Sequence, residues 1–231
     1  MTFKDDLPAT MEPPMKFALE ANFGSFEQWR AEFTAAMIRA FGRGSGSVLL
    51  SFQPGDGRLV NQWAADRTRA SAGSVPLLAL DVDEHAHLPD HGAAHASHIR
   101  ALMHDVEWRS VYERYQAAVD AATESIGATA EAMSGATAID VRRAGAFQQA
   151  ASMLPEARWL DPMKVTQWAG ELPNDQPFIV YCVHGHEVSR TTALRMRAAG
   201  LDARFLRGGI DGWQSEGGPV VARPEAGGRD A

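Results

Sequence analysis

The sequence contains a single cysteine, Cys182, among its 231 residues. No intrachain disulfide can form, and a reducing, cytoplasmic setting is expected. Long apolar runs are also missing. Runs such as Val48 to Leu50 and Val75 to Leu80 fall far short of the ~20 residues a membrane span needs. The opening MTFKDDLPATMEPP is acidic and proline-bearing, and does not read as a signal peptide. Basic residues are in deficit, 22 against 29 acidic ones, for a net charge of −7. That argues against non-specific nucleic-acid binding, so neither nucleic acid nor membrane is expected among the partners. Histidine is absent except in two places. Six of the eight lie between His85 and His104, and His184 and His186 follow closely after the cysteine.

What is present suits a folded protein. Hydrophobic residues make up 45% and charged residues 22%, which excludes global disorder and a fibrous repeat. At ~100–200 residues per domain, the length fits one large domain or two compact ones. Residues 1–24 read as a lead-in with a short helix over 16–21. Ser25 and Gln28 then form a capping-box pattern. Phe26, Trp29, Phe33, Met37 and Phe41 follow as one helical stripe. Strands are predicted at 47–52 and 58–63 around the turn Pro54-Gly55-Asp56-Gly57, and a third at 76–81. Helices are expected at 95–104 and 106–118. From about 118 to 136 the composition turns to Ala, Thr, Ser and Gly and reads as a helix tail running into a linker, set at 120–136. Beyond it, strands at 138–142, 177–181 and 203–206 alternate with helices at 188–199 and 209–214, the pattern of a parallel α/β sheet. Residues 223–231 read as a tail.

In FIVYCVHGHEVSRTTALRMRAAG a buried strand runs into Cys182, a glycine-containing loop follows, and a helix starts near Val188. Backbone N–H groups and the positive end of a helix dipole then point at the sulfur and favour the thiolate, the nucleophilic form. His184 and His186 add positive charge when protonated. The alternative is a small buried residue at a strand end. Asp140 and Arg142, on a neighbouring strand, either orient this loop or make an ordinary surface ion pair.

AIDVR at 138–142, IVYC at 179–182, RAAGLDARFL at 197–206 and GGIDGW at 208–213 resemble a single rhodanese domain over 137–222. The resemblance implies a parallel-sheet α/β fold and sulfurtransferase chemistry. Cys182 would take a sulfane sulfur as a persulfide and pass it to a thiol or other nucleophilic acceptor, with no cofactor required. The loop residues Val183, His184, Gly185, His186, Glu187, Val188 and Ser189 would cradle the sulfur. The donor would be a small molecule or a protein. Family members typically carry a basic residue after the cysteine and an arginine five residues beyond it. Here those positions hold Val183 and Glu187, so poor use of dianionic thiosulfate is expected. Arg190 lies two residues too late for a Cys-x5-Arg phosphatase.

The first half has its own resemblance. FGSFEQWRAEFTAAMIRAFG at 23–42, PLLALDVDEHAH at 76–87 and VEWRSVYERY at 106–115 are similar to the C-terminal half of iron/manganese superoxide dismutases. This implies an α+β domain over 1–119 with a three-stranded antiparallel sheet. Asp81 and His85 fall on two of that family's metal ligands, for iron or manganese, and Glu84 on a residue that reaches across a dimer. The other two ligand histidines have no counterpart before His85. Ser45 and Ser47 replace expected tryptophans, and Asp83 an aromatic. The region therefore reads as a truncated, degenerate dismutase half, with dismutase activity not expected of it. His87 or His91, or a homodimer through this domain, could complete a metal site. His91, His95 and His98 share one helix face, which by default is solvated. Two alternatives to the sulfurtransferase stay open: a metal-binding stress protein, and a non-catalytic binding module.

Overall fold

The computed structural model describes residues 11–40, 46–65, 73–82 and 91–224, with backbone only for 91–96. The chain divides into two compact units, the main division falling between Ala118 and Val119. Among the described residues no helix is long and apolar enough to cross a membrane.

The first unit is α+β. Helices α1 (Pro13–Phe23) and α2 (Phe26–Ala40) precede strands β1 (Gly46–Gln53), β2 (Arg58–Ala64) and β3 (Val75–Val82); α3 (His91–His104) and α4 (Trp108–Thr123) follow. The strands form an antiparallel sheet in the order β2-β1-β3. Being central, β1 buries both faces, from Ser47 through Phe52. The described part of the predicted α2 stripe is the core face: Phe26, Trp29, Phe33 and Met37 are all buried, and Phe41 lies outside the described residues. Trp29 packs at 5.3 Å from both Phe33 and Trp108, and its indole N–H donates to Asn61 Oδ1 at 3.1 Å. Rings of this size each bury 150–250 Å², so they dominate the core energy. Ser25 Oγ accepts the Gln28 N–H at 3.0 Å, the N-terminal cap its sequence position predicts. The lead-in helix is longer than expected, 13–23 rather than 16–21, because Pro13 and Pro14 fit a first helical turn.

The second unit is a parallel α/β domain. Its elements are β4 (Gly127–Ala128), β5 (Thr137–Asp140), α5 (Ala144–Gln149), β6 (Ser152–Met153), β7 (Arg158–Trp159), α6 (Val165–Trp168), β8 (Phe178–Tyr181), α7 (Glu187–Ala198), β9 (Ala203–Leu206), α8 (Gly209–Ser215) and β10 (Val221–Ala222). Five strands pair in parallel in the order β4-β9-β8-β5-β7, and β10 pairs with β6 apart from them. Both faces of this sheet are covered, as parallel sheets require. On β8, Phe178 and Val180 join one core with Ile139, Met196 and Phe205, while Ile179 and Tyr181 join another with Leu154, Leu206 and Ile210. Each such aliphatic or aromatic side chain contributes ~1.5–3 kcal/mol on burial.

Two expectations need correction. The segment 120–136 is not a structureless linker. The expected helix tail is the end of α4 at Thr123, but beyond it Gly127 and Ala128 pair with Phe205 and Leu206 as the edge strand of the parallel sheet. Its small residues suit that edge: a Cβ on Gly127 would lie 2.5 Å from the Arg207 side chain. Arg223, expected in the tail, is tied down, since its N–H donates to Ala151 O at 3.0 Å, and 225–231 lie outside the described residues.

Candidate active site in the second unit

Three neighbouring strands of the parallel sheet, β9, β8 and β5, end side by side. Parallel α/β sheets bind ligands outside the carboxyl ends of their strands. Here those ends deliver Leu206 to Gly209, the Cys182 loop, and Asp140 to Arg142 to one region. The loop is closed by close backbone contact. Gly185 has φ +72°, and a Cβ there would fall 2.7–2.8 Å from Leu206 O, Gly208 N and Gly209 N. Gly209 (φ +59°) presses on the other side, and a Cβ there would fall 2.4–2.6 Å from the Val183 and Cys182 carbonyl oxygens and Gly185 N. Only glycine fits either position. The first turn of α8 then straps the loop: the Ile210 N–H donates to Cys182 O at 3.0 Å and the Asp211 N–H to Val183 O at 3.1 Å.

Cys182 is buried, and its Sγ lies 3.2 Å from Ser189 Oγ. Ser189 sits in the first turn of α7, fully buried, within 3.3 Å of the His186 carbonyl. The single hydroxyl proton goes to the His186 carbonyl or, once turned to the sulfur, to a Cys182 thiolate, one at a time. The loop residues divide by exposure. Gly185, Glu187 and Ser189 are buried, Val183 and Val188 half-buried, and His184 and His186 exposed. Val188 packs against the hydrophobic core, so it serves the fold. Glu187 is only 8% exposed, so the acid in the arginine position is a built-in part of the loop.

Arg190 does something that its spacing did not reveal. It grips the loop backbone instead of a ligand. Its Nε donates to Gly185 O at 2.8 Å, and Nη1 reaches Thr123 Oγ1 and Asp120 Oδ1, each at 3.1 Å. The guanidinium lies 4.3 Å from the Phe205 ring centroid, a cation–π distance.

Asp140 and Arg142 are not a surface pair. Asp140 is 0% and Arg142 4% exposed. The carboxylate accepts from the Arg142 backbone N–H, from Nε and Nη2 of the guanidinium, and from Tyr181 OH at 3.0 Å. Nη2 also donates to Ser152 O at 3.0 Å, and Tyr181 OH accepts the Leu154 N–H at 3.2 Å. Burial and the Asp140 charge push the Tyr181 phenol well above its usual range. The network fixes Tyr181, the residue before the cysteine. Trp213, in GGIDGW, is held by donation from Nε1 to Pro219 O at 2.8 Å.

The iron/manganese superoxide dismutase C-terminal domain family matches residues 11–114, and the rhodanese-like domain family matches 126–216. The chain is a fusion of these two domains. The dismutase domain is 48% identical over 110 residues to superoxide dismutase [Fe] of Cupriavidus metallidurans, covering 48% of this chain and 55% of that protein. It is 39% identical over 104 residues to superoxide dismutase [Mn] 1 of Halobacterium salinarum, covering 44% and 50%. The chain thus spans about half the length of these curated relatives. Among solved structures, a rhodanese-related protein of Thermoplasma volcanium aligns at 23% identity and a TM-score of 0.37, over 41% of this chain and 96% of its own. A full-length protein of Lactobacillus plantarum aligns at 23% identity and 0.39, over 43% and 89%.

Of the two metal-ligand candidates in the dismutase domain, Asp81 is described and His85 lies outside the described residues, as do Asp83, Glu84 and His87. Asp81 is exposed, and its Oδ1 accepts a 2.6 Å hydrogen bond from Ser47, its partner across β1 and β3. Among the described residues no group of three His, Cys, Asp or Glu could hold a metal ion. One carboxylate, already hydrogen-bonded, does not fit iron or manganese by itself. On α3, His98 is exposed, while the side chains of His91 and His95 lie outside the described residues.

Proposed function

We propose that the rhodanese-like domain is a sulfurtransferase. The Cys182 thiolate attacks the sulfane sulfur of a donor and holds it as a persulfide. A nucleophilic acceptor, a thiol in the simplest case, then takes it. The observation that carries this reading is the environment of the sulfur: Sγ 3.2 Å from Ser189 Oγ, at the base of a glycine-closed loop that leads into helix α7. Amides of residues 183–189 serve as donors to the negative sulfur. No cofactor is needed, because sulfane sulfur moves between nucleophiles without net oxidation.

The loop chemistry also selects the donor. Glu187, buried, stands at the sequence position where the family's arginine would meet the second charge of thiosulfate. A low-molecular-weight or protein persulfide, with one charge at most on its transferable sulfur, suits the loop better. The test compares thiosulfate with glutathione persulfide on the wild type, Glu187→Gln and Glu187→Arg. Glutathione persulfide should be preferred by the wild type. Glu187→Arg should raise kcat/KM for thiosulfate roughly 10–100-fold, the worth of one charge-assisted hydrogen bond. A wild type that prefers thiosulfate would overturn the donor assignment.

A second reading concerns the dismutase domain, and the 48% identity to superoxide dismutase [Fe] favours it. On this reading Asp81, unfit to hold the metal alone, binds iron or manganese only together with His85. Protein purified from metal-supplemented cells should then carry metal that is lost in the Asp81→Ala/His85→Ala double variant. Equal metal content in both would dismiss this reading.

A further inference from the structure

At the rim of the cysteine loop stands a pair that neither family resemblance assigns. His184 Nδ1 lies 2.9 Å from Asp211 Oδ2. The two come from different elements, the loop after β8 and the first turn of α8, and both backbones are fixed. The Asp211 N–H donates to Val183 O, and the adjacent Ile210 N–H donates to Cys182 O. The carboxylate is therefore held at a set distance from the ring by the same strap that holds the cysteine. With Nδ1–H given to Asp211, the tautomer is set and Nε2 is left as the free base. The side chains are 60% and 53% exposed, so an incoming molecule can reach the ring. His186 is the other titratable group facing it, with ring centroids 5.6 Å apart.

We propose that His184, oriented by Asp211, is the general base for the acceptor half of sulfur transfer, with thiols as the acceptor class. This rests on the persulfide reading above. Nε2 takes the proton of the acceptor thiol. The resulting thiolate attacks the outer sulfur of the Cys182 persulfide, and a new sulfur–sulfur bond forms. The bond from that sulfur to Sγ breaks, and its electron pair returns to Cys182 as thiolate. The acceptor leaves as a persulfide, and the exposed imidazolium releases its proton to water. The sulfur is transferred without an oxidant or reductant.

The test loads Cys182 with glutathione persulfide, removes excess donor, and follows discharge in a single turnover. Two acceptors are used at neutral pH: 2-mercaptoethanol, an alkyl thiol still largely protonated (~8.5 for such thiols), and thiophenol, already mostly ionised. His184→Asn keeps a donor to Asp211 but has no base. It should slow discharge by 2-mercaptoethanol about 10²-fold, the low end for general-base catalysis, and leave thiophenol nearly unchanged. Asp211→Asn should slow the alkyl thiol alone, by a smaller factor. A purely structural role would slow both acceptors alike and overturn the proposal, as would unchanged discharge by 2-mercaptoethanol. A wild type that never acquires the persulfide would overturn the sulfurtransferase reading and this one with it. A normal persulfide with an unaltered alkyl-to-aryl ratio would overturn this one alone.

Discussion

Replacing Arg142 with methionine should destabilise the rhodanese-like domain by ~3–5 kcal/mol, the usual cost of removing one partner of a buried ion pair. Asp140 has no exposed surface and depends on the guanidinium for charge balance and two of its donors. Methionine retains the apolar stem near Phe147 and Tyr181 but leaves the carboxylate with only the Arg142 backbone N–H and Tyr181 OH. The Ser152 carbonyl loses its donor as well. Against a typical domain stability of ~5–15 kcal/mol, this is a large fraction. The neutral pair Asp140→Asn/Arg142→Met removes the orphaned charge and should recover much of the loss, because whole-pair replacement is often close to neutral. Urea unfolding read by hydrogen exchange on peptides from 119–224 measures the effect, with peptides from 11–118 as the internal reference. A single variant within ~0.5 kcal/mol of wild type, the range of ordinary surface substitutions, would refute the reasoning. So would a double variant no more stable than the single one.

Two further outcomes follow from the same loop. Tyr181→Phe leaves the buried Leu154 N–H without its acceptor and should cost ~1–3 kcal/mol. The folded state holds the phenol proton more tightly than the unfolded chain does. Its contribution is therefore complete below ~10 and is lost as pH rises above that. The stability gap between wild type and Tyr181→Phe in urea should narrow in that alkaline range; a gap independent of pH would contradict it. Arg190→Met frees the Gly185 carbonyl and should lower kcat for persulfide transfer, with less than ~1 kcal/mol of stability traceable to the exposed partner Asp120. Arg190→Lys can keep the ion pair but not the fork that bonds both Gly185 and Thr123, so it should restore turnover only in part. Full turnover in Arg190→Met would remove Arg190 from the loop's support.

Much of this architecture is legible in the residues. The α2 stripe and the Ser25 cap carry their own periodicity and turn chemistry. The run FIVYC is apolar on both faces because β8 is central in a covered parallel sheet. Other features depend on adjacency that no local pattern encodes. Asp140 and Arg142, two apart where β5 ends, look like ordinary surface charges until β5 is placed between β8 and β7. Tyr181 meets Asp140 across 41 residues of sequence, through strand pairing alone. Edge strand β4 has two small residues, too few for any alternation to appear. Arg190 is invisible as a loop anchor because its acceptor is a backbone carbonyl, which no side-chain motif records. Asp211 reaches His184 only because β9 lies beside β8 and sends GGID back over the cysteine loop. In the dismutase domain, the Asp81–Ser47 bond follows from the β1–β3 register, which hydrophobic alternation alone does not fix.

The central claim is that Cys182 carries transferable sulfur, and intact mass tests it most directly. Wild type and Cys182→Ala are each incubated with glutathione persulfide, weighed, treated with cyanide and weighed again. The wild type should gain one sulfur atom and lose it to cyanide, and Cys182→Ala should gain none. An unmodified wild type, or an adduct that survives the loss of Cys182, would contradict it.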